Sequence, residues 1–326
     1  MSTADSHADR SGQAANAAMR MEPRHWGTMV LLALGVMIAY ADRSSISAAI
    51  ANRDFIGHFA MNDIHRGLLG SAFFWSYALA QIPLGWVVDR YGARLPYAIC
   101  FGTWCIATAC SGAMTAFTGL VLMRMLVGAA EAVVMPASYR WIRNHVPEQY
   151  MGTAIGIFAF GNKIGTAIGA PVAAWLIVAY DWRLMFLITG LLGLIWLVPW
   201  WLCVANDLPT KAQLPAAKER AASVSFGSIL RSPVVWGGMI VNFCYAYFTF
   251  YCMTWMPAYL VEQRGLSLQQ SGIYTLFSFI GIAIVGVTAG WLADRLIARG
   301  GAQCCAAPIP TILAGHYSGT FHRCPA

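Results

Sequence analysis

Eight runs of about twenty apolar residues, at roughly 26–50, 67–88, 95–114, 117–139, 151–177, 184–204, 234–256 and 270–292, constrain this chain more than any other feature. About 20 apolar residues in a helix span the hydrocarbon core of a bilayer. Backbone in that core must satisfy its own hydrogen bonds, so each run is expected to be a transmembrane helix. The expected class is therefore an all-α membrane protein with eight transmembrane helices. Composition agrees, since 58% of the 326 residues are hydrophobic and 11% are charged, against about a quarter charged in soluble domains. A soluble enzyme is excluded on that ground.

The spacing of the runs divides the chain. Residues 1–25 form a polar tail, and the run after it lacks a small-residue cleavage site, so it reads as a retained helix. A six-helix bundle over 26–204 follows. The charged, proline-bearing stretch 205–233 reads as a linker to a partial second bundle, two helices and a loop, over 234–300. The tail 301–326 crowds cysteines and prolines without a further apolar run. It reads either as a short disordered C-terminus or as a departure from the chain's course near Ala302, as a truncation or a shift of reading frame would produce.

Basic residues stay on the cytoplasmic side of membrane proteins. Alternate loops and the N-terminal tail hold 13 Lys and Arg on one face, against 4 on the other. That imbalance places the N-terminus in the cytoplasm and the protein in the cell (inner or plasma) membrane. The formal charge of +7 does not indicate nucleic acid, because the basic residues fall singly in short loops. The nine cysteines include Cys100, Cys105 and Cys110 within one apolar run, and no Cys/His set has metal-ligand spacing. Packing, with no metal and no cofactor, is the expectation. His65 and His145 fall in loops and are expected to be solvated.

Two loops match. Gly85-Trp86-Val87-Val88-Asp89-Arg90-Tyr91-Gly92-Ala93-Arg94 ends the second run, and Gly290-Trp291-Leu292-Ala293-Asp294-Arg295 ends the eighth. The glycine permits close helix approach, the aspartate can hold helix amides or an arginine, and the arginines can meet lipid or carboxylates. Such a joint can latch and release. The pattern resembles the signature loop of the major facilitator superfamily of transporters.

Further stretches resemble its anion:cation symporter branch. These are Tyr40-Ala41-Asp42-Arg43 with Ser47; Tyr77, Gln81, Pro83 and Gly85; Arg124, Gly128 and Glu131 with Pro136; Asp181-Trp182-Arg183 with Phe186; and Trp255, Pro257 and Tyr259. Ser45 and Gln149-Tyr150 depart from that branch, and its members have twelve spans where eight are expected here. The resemblance implies a major-facilitator-type helical bundle and proton-coupled symport of organic anions by alternating access. It also implies that acids at the positions of Asp42 and Glu131 carry the proton, and it brings Tyr77 into the substrate site.

Five charges lie inside the runs: Asp42, Arg43, Arg124, Glu131 and Lys163. Each costs about 2.5–3.5 kcal/mol to insert at the bilayer centre unless it pairs or faces a wet cavity. Three cations against two acids suit an organic anion as cargo. Tyr40, Arg43 and Ser47 share a helical face, so Arg43 is a carboxylate fork or a structural charge. Arg124 and Glu131 lie about 10 Å apart along one helix, too far to touch. Glu131 is either a proton carrier or a structural partner for an arginine, and Arg124 is assigned a structural charge. Lys163 either contacts the ligand or balances the acids. Asn242 and Tyr245 add hydroxyl-binding groups to the site.

The expected partners are a small organic anion (a sugar acid or an aromatic carboxylate), a proton and the lipid bilayer, with the chain acting as a monomer. A membrane enzyme is excluded because no G-x-S-x-G, H-E-x-x-H or Cys/His cluster occurs. A non-transporting membrane fragment and a proton-coupled exporter of another substrate class remain the alternatives.

Overall fold

The computed structural model describes residues 22–147, 150–205 and 232–298, with side chains in the last stretch up to Ile284 except Val234 and Ala283. The expected tails, the core of the linker and the side chains of Gly290, Asp294 and Arg295 lie outside the described residues.

The described residues are helical, with no strand among them. In chain order they form α1 (Pro23–Ile50), α2 (Arg53–His58), α3 (Asp63–Tyr91), α4 (Arg94–Ser111), α5 (Phe117–Glu131) and α6 (Val134–His145). Next come α7 (Met151–Ala179), α8 (Trp182–Ile195), α9 (Leu197–Cys203), α10 (Pro233–Glu262) and α11 (Leu268–Ala298). Helix covers every apolar run. Among the described residues four segments, Pro23–Ile50, Phe117–His145, Met151–Ala179 and Trp182–Cys203, are long and apolar enough to cross a membrane by length and composition.

Local chemistry sets the ends. Pro23 starts α1 where a missing N–H costs nothing. Asn52 and Asn62 cap α2 and α3 by accepting from Phe55 N at 2.9 Å and His65 N at 2.8 Å. Gly92 stops α3 at φ 78°, in the left-handed region that favours glycine. The fourth and sixth runs are each interrupted, at Ala132-Val133 and at Trp196. Helix also runs past the expected edges, so that Arg66 and Arg140 sit on helices and not in loops.

The core is a set of close helix pairs: α1 with α7, α3 with α5, α4 with α5 and α8, and α7 with α11. The α1–α7 contact is the tightest for a sequence reason. Gly161, Gly165 and Gly169 recur every fourth residue, and a Cβ on any of them would strike the α1 backbone at Ala33, Met37 or Ala41. Without a hydrophobic drive between helices in lipid, small residues let dispersion contacts hold them. Gly128 lies equally close to Phe73 of α3, and Gly190 to Cys105 and Ala109 of α4. At one end Tyr97, Phe101, Trp104, Trp196 and Trp200 form an aromatic cluster. Two indoles of that cluster donate to Leu31 O and Arg94 O, both at 3.0 Å.

The histidine expectation is corrected. His145 stacks on Trp141 with centroids 4.8 Å apart, and His65 lies against Phe117 at the same separation. The longer helices set both rings against aromatic neighbours, where each is half-buried.

Candidate functional site

Neighbouring residues on a helix point about 100° apart, and α1 uses that angle to send Asp42 and Arg43 to different partners. Arg43 faces α3 and the α5–α6 junction. Its Nε donates to Glu131 Oε2 at 2.6 Å, and both side chains are almost wholly buried. The guanidinium is walled by aromatic rings, with its Cζ 4.4 Å from the Tyr40 centroid, 4.7 Å from Tyr77 and 5.0 Å from Phe73. Arg124 lies 5.0 Å from the same Phe73 ring, so one phenyl ring carries two guanidiniums.

Asp42 faces α4, where Thr108 Oγ1 donates to Asp42 Oδ2 at 2.9 Å. The carboxylate also lies in the field of Arg124 and beside that of Glu131. Two acids and two arginines therefore meet in one buried cluster, formed by α1, α4 and α5 against α3. Glu131 stands at the last residue of α5, where the helix gives way to Ala132-Val133. A continuous helix would carry it on in register; the break sets it at the joint between α5 and α6.

The cluster is only partly satisfied. Among the described residues Asp42 Oδ1, Arg43 Nη2, Arg124 Nε and Glu131 Oε1 are buried without a hydrogen-bond partner. Buried polar atoms are normally bonded, and each of these charges is expensive to leave bare. The unbonded atoms comprise two guanidinium donors and two carboxylate acceptors. That set can take an anion on its donors and a proton on its acceptors.

The other candidate residues fall around this cluster or at the ends of the bundle. Tyr77 accepts from Gln81 Nε2 at 3.2 Å. Ser47 is buried and donates to Ser44 O at 2.6 Å, so its hydroxyl is occupied within α1. Lys163 Nζ donates to Tyr245 OH at 2.9 Å, joining α7 to α10. Asn242, nearly one turn before Tyr245, is exposed. Asp89 accepts from Arg140 Nη1 at 2.9 Å, which ties α3 to α6. Gly85 lies beside Pro136 of α6. Arg90 covers Trp86 and Tyr91, and Arg94 donates to Trp201 O at 2.6 Å over the Trp201 ring.

Sequence reasoning missed Phe73, Thr108 and Asn162. The Asn162 amide lies near the Tyr40 hydroxyl. A polar residue next to Lys163 in an apolar run was a usable signal. Phe73 and Thr108 carry no such mark, because a phenylalanine or threonine in a membrane helix is ordinary.

The family model described as Major Facilitator Superfamily matches residues 32–321. The chain belongs to that superfamily. Its relatives include the D-galactonate transporter of Escherichia coli O6:H1 (strain CFT073), 27% identical over 85% of this chain and 69% of that one. The hexuronate transporter of Bacillus subtilis (strain 168) is 28% identical, over 83% of this chain and 66% of its own length. Among solved structures, a bacterial homolog of the human lysosomal transporter Spinster, in an inward-facing and unoccupied conformation, matches with TM-score 0.71 and 22% identity. That match covers 86% of this chain and 64% of the other. The D-xylose-proton symporter matches with TM-score 0.62 and 16% identity, over 84% and 69%. The chain thus spans about two thirds of the length of these proteins, which are transporters and not enzymes.

Proposed function

We propose that this superfamily member is a proton-coupled symporter of a small organic anion, of the sugar-acid class carried by its relatives, working by alternating access. It acts as a monomer in the cell (inner) membrane with its N-terminus in the cytoplasm. All eight helical runs span the bilayer. Residues 26–204 form the N-terminal bundle, 205–233 the cytoplasmic linker and 234–300 the start of the second bundle.

The observation that carries this reading is the Arg43–Glu131 pair beside Asp42 and Arg124. While Glu131 is charged it occupies Arg43 Nε, and two acids balance two arginines. A proton on Glu131, or shared between Glu131 and Asp42, weakens that pair and leaves one net positive charge. The freed guanidinium can then hold a carboxylate by two parallel hydrogen bonds. A proton and a monoanion together restore neutrality, so each favours binding of the other. Tyr40 and Tyr77 border the guanidinium and can meet hydroxyls of the anion. Lys163 of the N-terminal bundle joins Tyr245 of the second, and Tyr245 with Asn242 nearby supplies the second bundle's share of the site. Arg124 holds the charge balance. Asp89 with Arg140, together with Gly85, Arg90, Arg94, Asp294 and Arg295, form the latch at the cytoplasmic end.

Proteoliposome counterflow with a panel of sugar acids and aromatic carboxylates tests the reading. Exchange of at least one sugar acid, abolished in Arg43→Lys while insertion is retained, is the expected result, because an ammonium cannot reproduce a planar fork. Absence of exchange for the whole panel, or Arg43→Lys exchanging like the parent chain, would overturn it.

A further inference from the structure

At the end of the bundle opposite Asp89, α3 meets α10 in a ladder of four-residue steps. Arg66 Nη2 lies 2.7 Å from Glu262 Oε1, and the guanidinium covers the Trp255 ring at 5.5 Å. One turn further in, Gly70 faces Thr254, with 3.4 Å between an added Cβ and Thr254 Cγ2. Another turn in, the rings of Phe74 and Phe250 meet edge to face at 4.7 Å. Residues 66, 70 and 74 occupy one face of α3. They pack on the C-terminal half of α10, where Met253 and Ala258 are buried. The ladder closes the seam between the six-helix bundle and α10 on this side.

The outermost rung differs in kind from the others. Arg66 is a 6% exposed side chain held by two carboxylates: Asp63 of its own helix at 3.1 Å, and Glu262 across the seam. Glu262 is 41% exposed, at the last residue of α10. The inner rungs are apolar contacts that slide or part at small cost. The Arg66–Glu262 pair leaves a nearly buried guanidinium with one carboxylate fewer when the seam opens. An ion pair that crosses between two moving bodies and exists in only one arrangement biases the equilibrium toward that arrangement.

We propose that Arg66, Glu262 and Trp255 form a latch that holds this end of the transporter shut, and that opening to this side requires the pair to part. Asp63 holds Arg66 in place from its own helix while the seam opens, so the latch re-forms on closing.

The test places a cysteine at Thr254, one turn behind the latch, in the otherwise unchanged chain in proteoliposomes. Its reaction with a membrane-impermeant maleimide is followed by site-resolved mass spectrometry. The readout requires no substrate, so it stands or falls apart from the substrate reading. Labelling from the Arg66 side is expected to be slow in the parent and about fivefold faster in Glu262→Gln and in Arg66→Gln, as a modest population shift gives. The exchanged pair Arg66→Glu/Glu262→Arg should label more slowly than either single variant. Glu262 is half-exposed, so its Gln variant separates the latch from folding. Unchanged labelling in Glu262→Gln, or an exchanged pair as fast as the single variants, would overturn the proposal.

Discussion

Replacing Arg43 by Met should destabilise the protein by about 3–5 kcal/mol, the cost of removing one member of a buried ion pair. The structure supports the upper part of that range. Glu131 is 0% exposed and loses a 2.6 Å charge-assisted partner, while Asp42 beside it adds a like charge. Three aromatic rings also lose a cation within 5.0 Å, each such contact being worth about 0.5–1 kcal/mol or more once desolvated. The double variant Arg43→Met/Glu131→Gln removes both charges and should recover most of the loss, because a neutral pair of similar volume packs without a bare ion. Thermal unfolding in detergent can be followed by the reactivity of Cys105, which is buried in α4. At roughly 2–4 °C per kcal/mol for a chain somewhat shorter than this one, Arg43→Met should fall by about 6–20 °C and the double variant by much less. A fall of under about 3 °C in Arg43→Met, or no recovery in the double variant, would refute the reasoning.

Two further outcomes follow from the packing and the charge distribution. Gly165→Leu should separate α1 from α7, costing at least the ~1–3 kcal/mol of an overpacked core. A lower unfolding temperature, with the paired Met37→Ala change giving no relief, is expected, because the clash is with the Met37 backbone. Reporter fusions within 206–231 and after Ala298 should read on the N-terminal side of the membrane, and fusions in the 59–62 loop on the other side. Any exchange between those groups would mean that the assigned spans are wrong.

The helices were legible because the bilayer fixes their length: each apolar run of about 20 residues could become little else. Their edges were less so. Arg66 reads as a loop charge if the helix starts at the first apolar residue. Asn62-Asp63, an N-cap followed by a first-turn acid, places the start four residues earlier and brings Arg66 onto α3. The glycines of α7 recur every fourth residue in the sequence, a pattern that marks a packing face, but nothing in it names Ala33, Met37 and Ala41 as the partner. The site shows the same division. Inserted charges mark Asp42, Arg43, Arg124 and Glu131, because lipid makes unpaired charge expensive. Helical periodicity relates residues within one helix, whereas the Arg43–Glu131 bond joins positions 88 apart in sequence. Thr108 and Phe73 enter the cluster only through that tertiary arrangement.

The central claim is that protonation of Glu131 links the proton to the anion. Glu131→Gln fixes a neutral side chain of the same shape, so Arg43 stays released whatever the pH. In proteoliposomes the variant should still exchange labelled for unlabelled anion, over several external pH values, while accumulation driven by an inward proton gradient disappears. Accumulation at the parent level in Glu131→Gln would contradict the account and remove Glu131 from coupling.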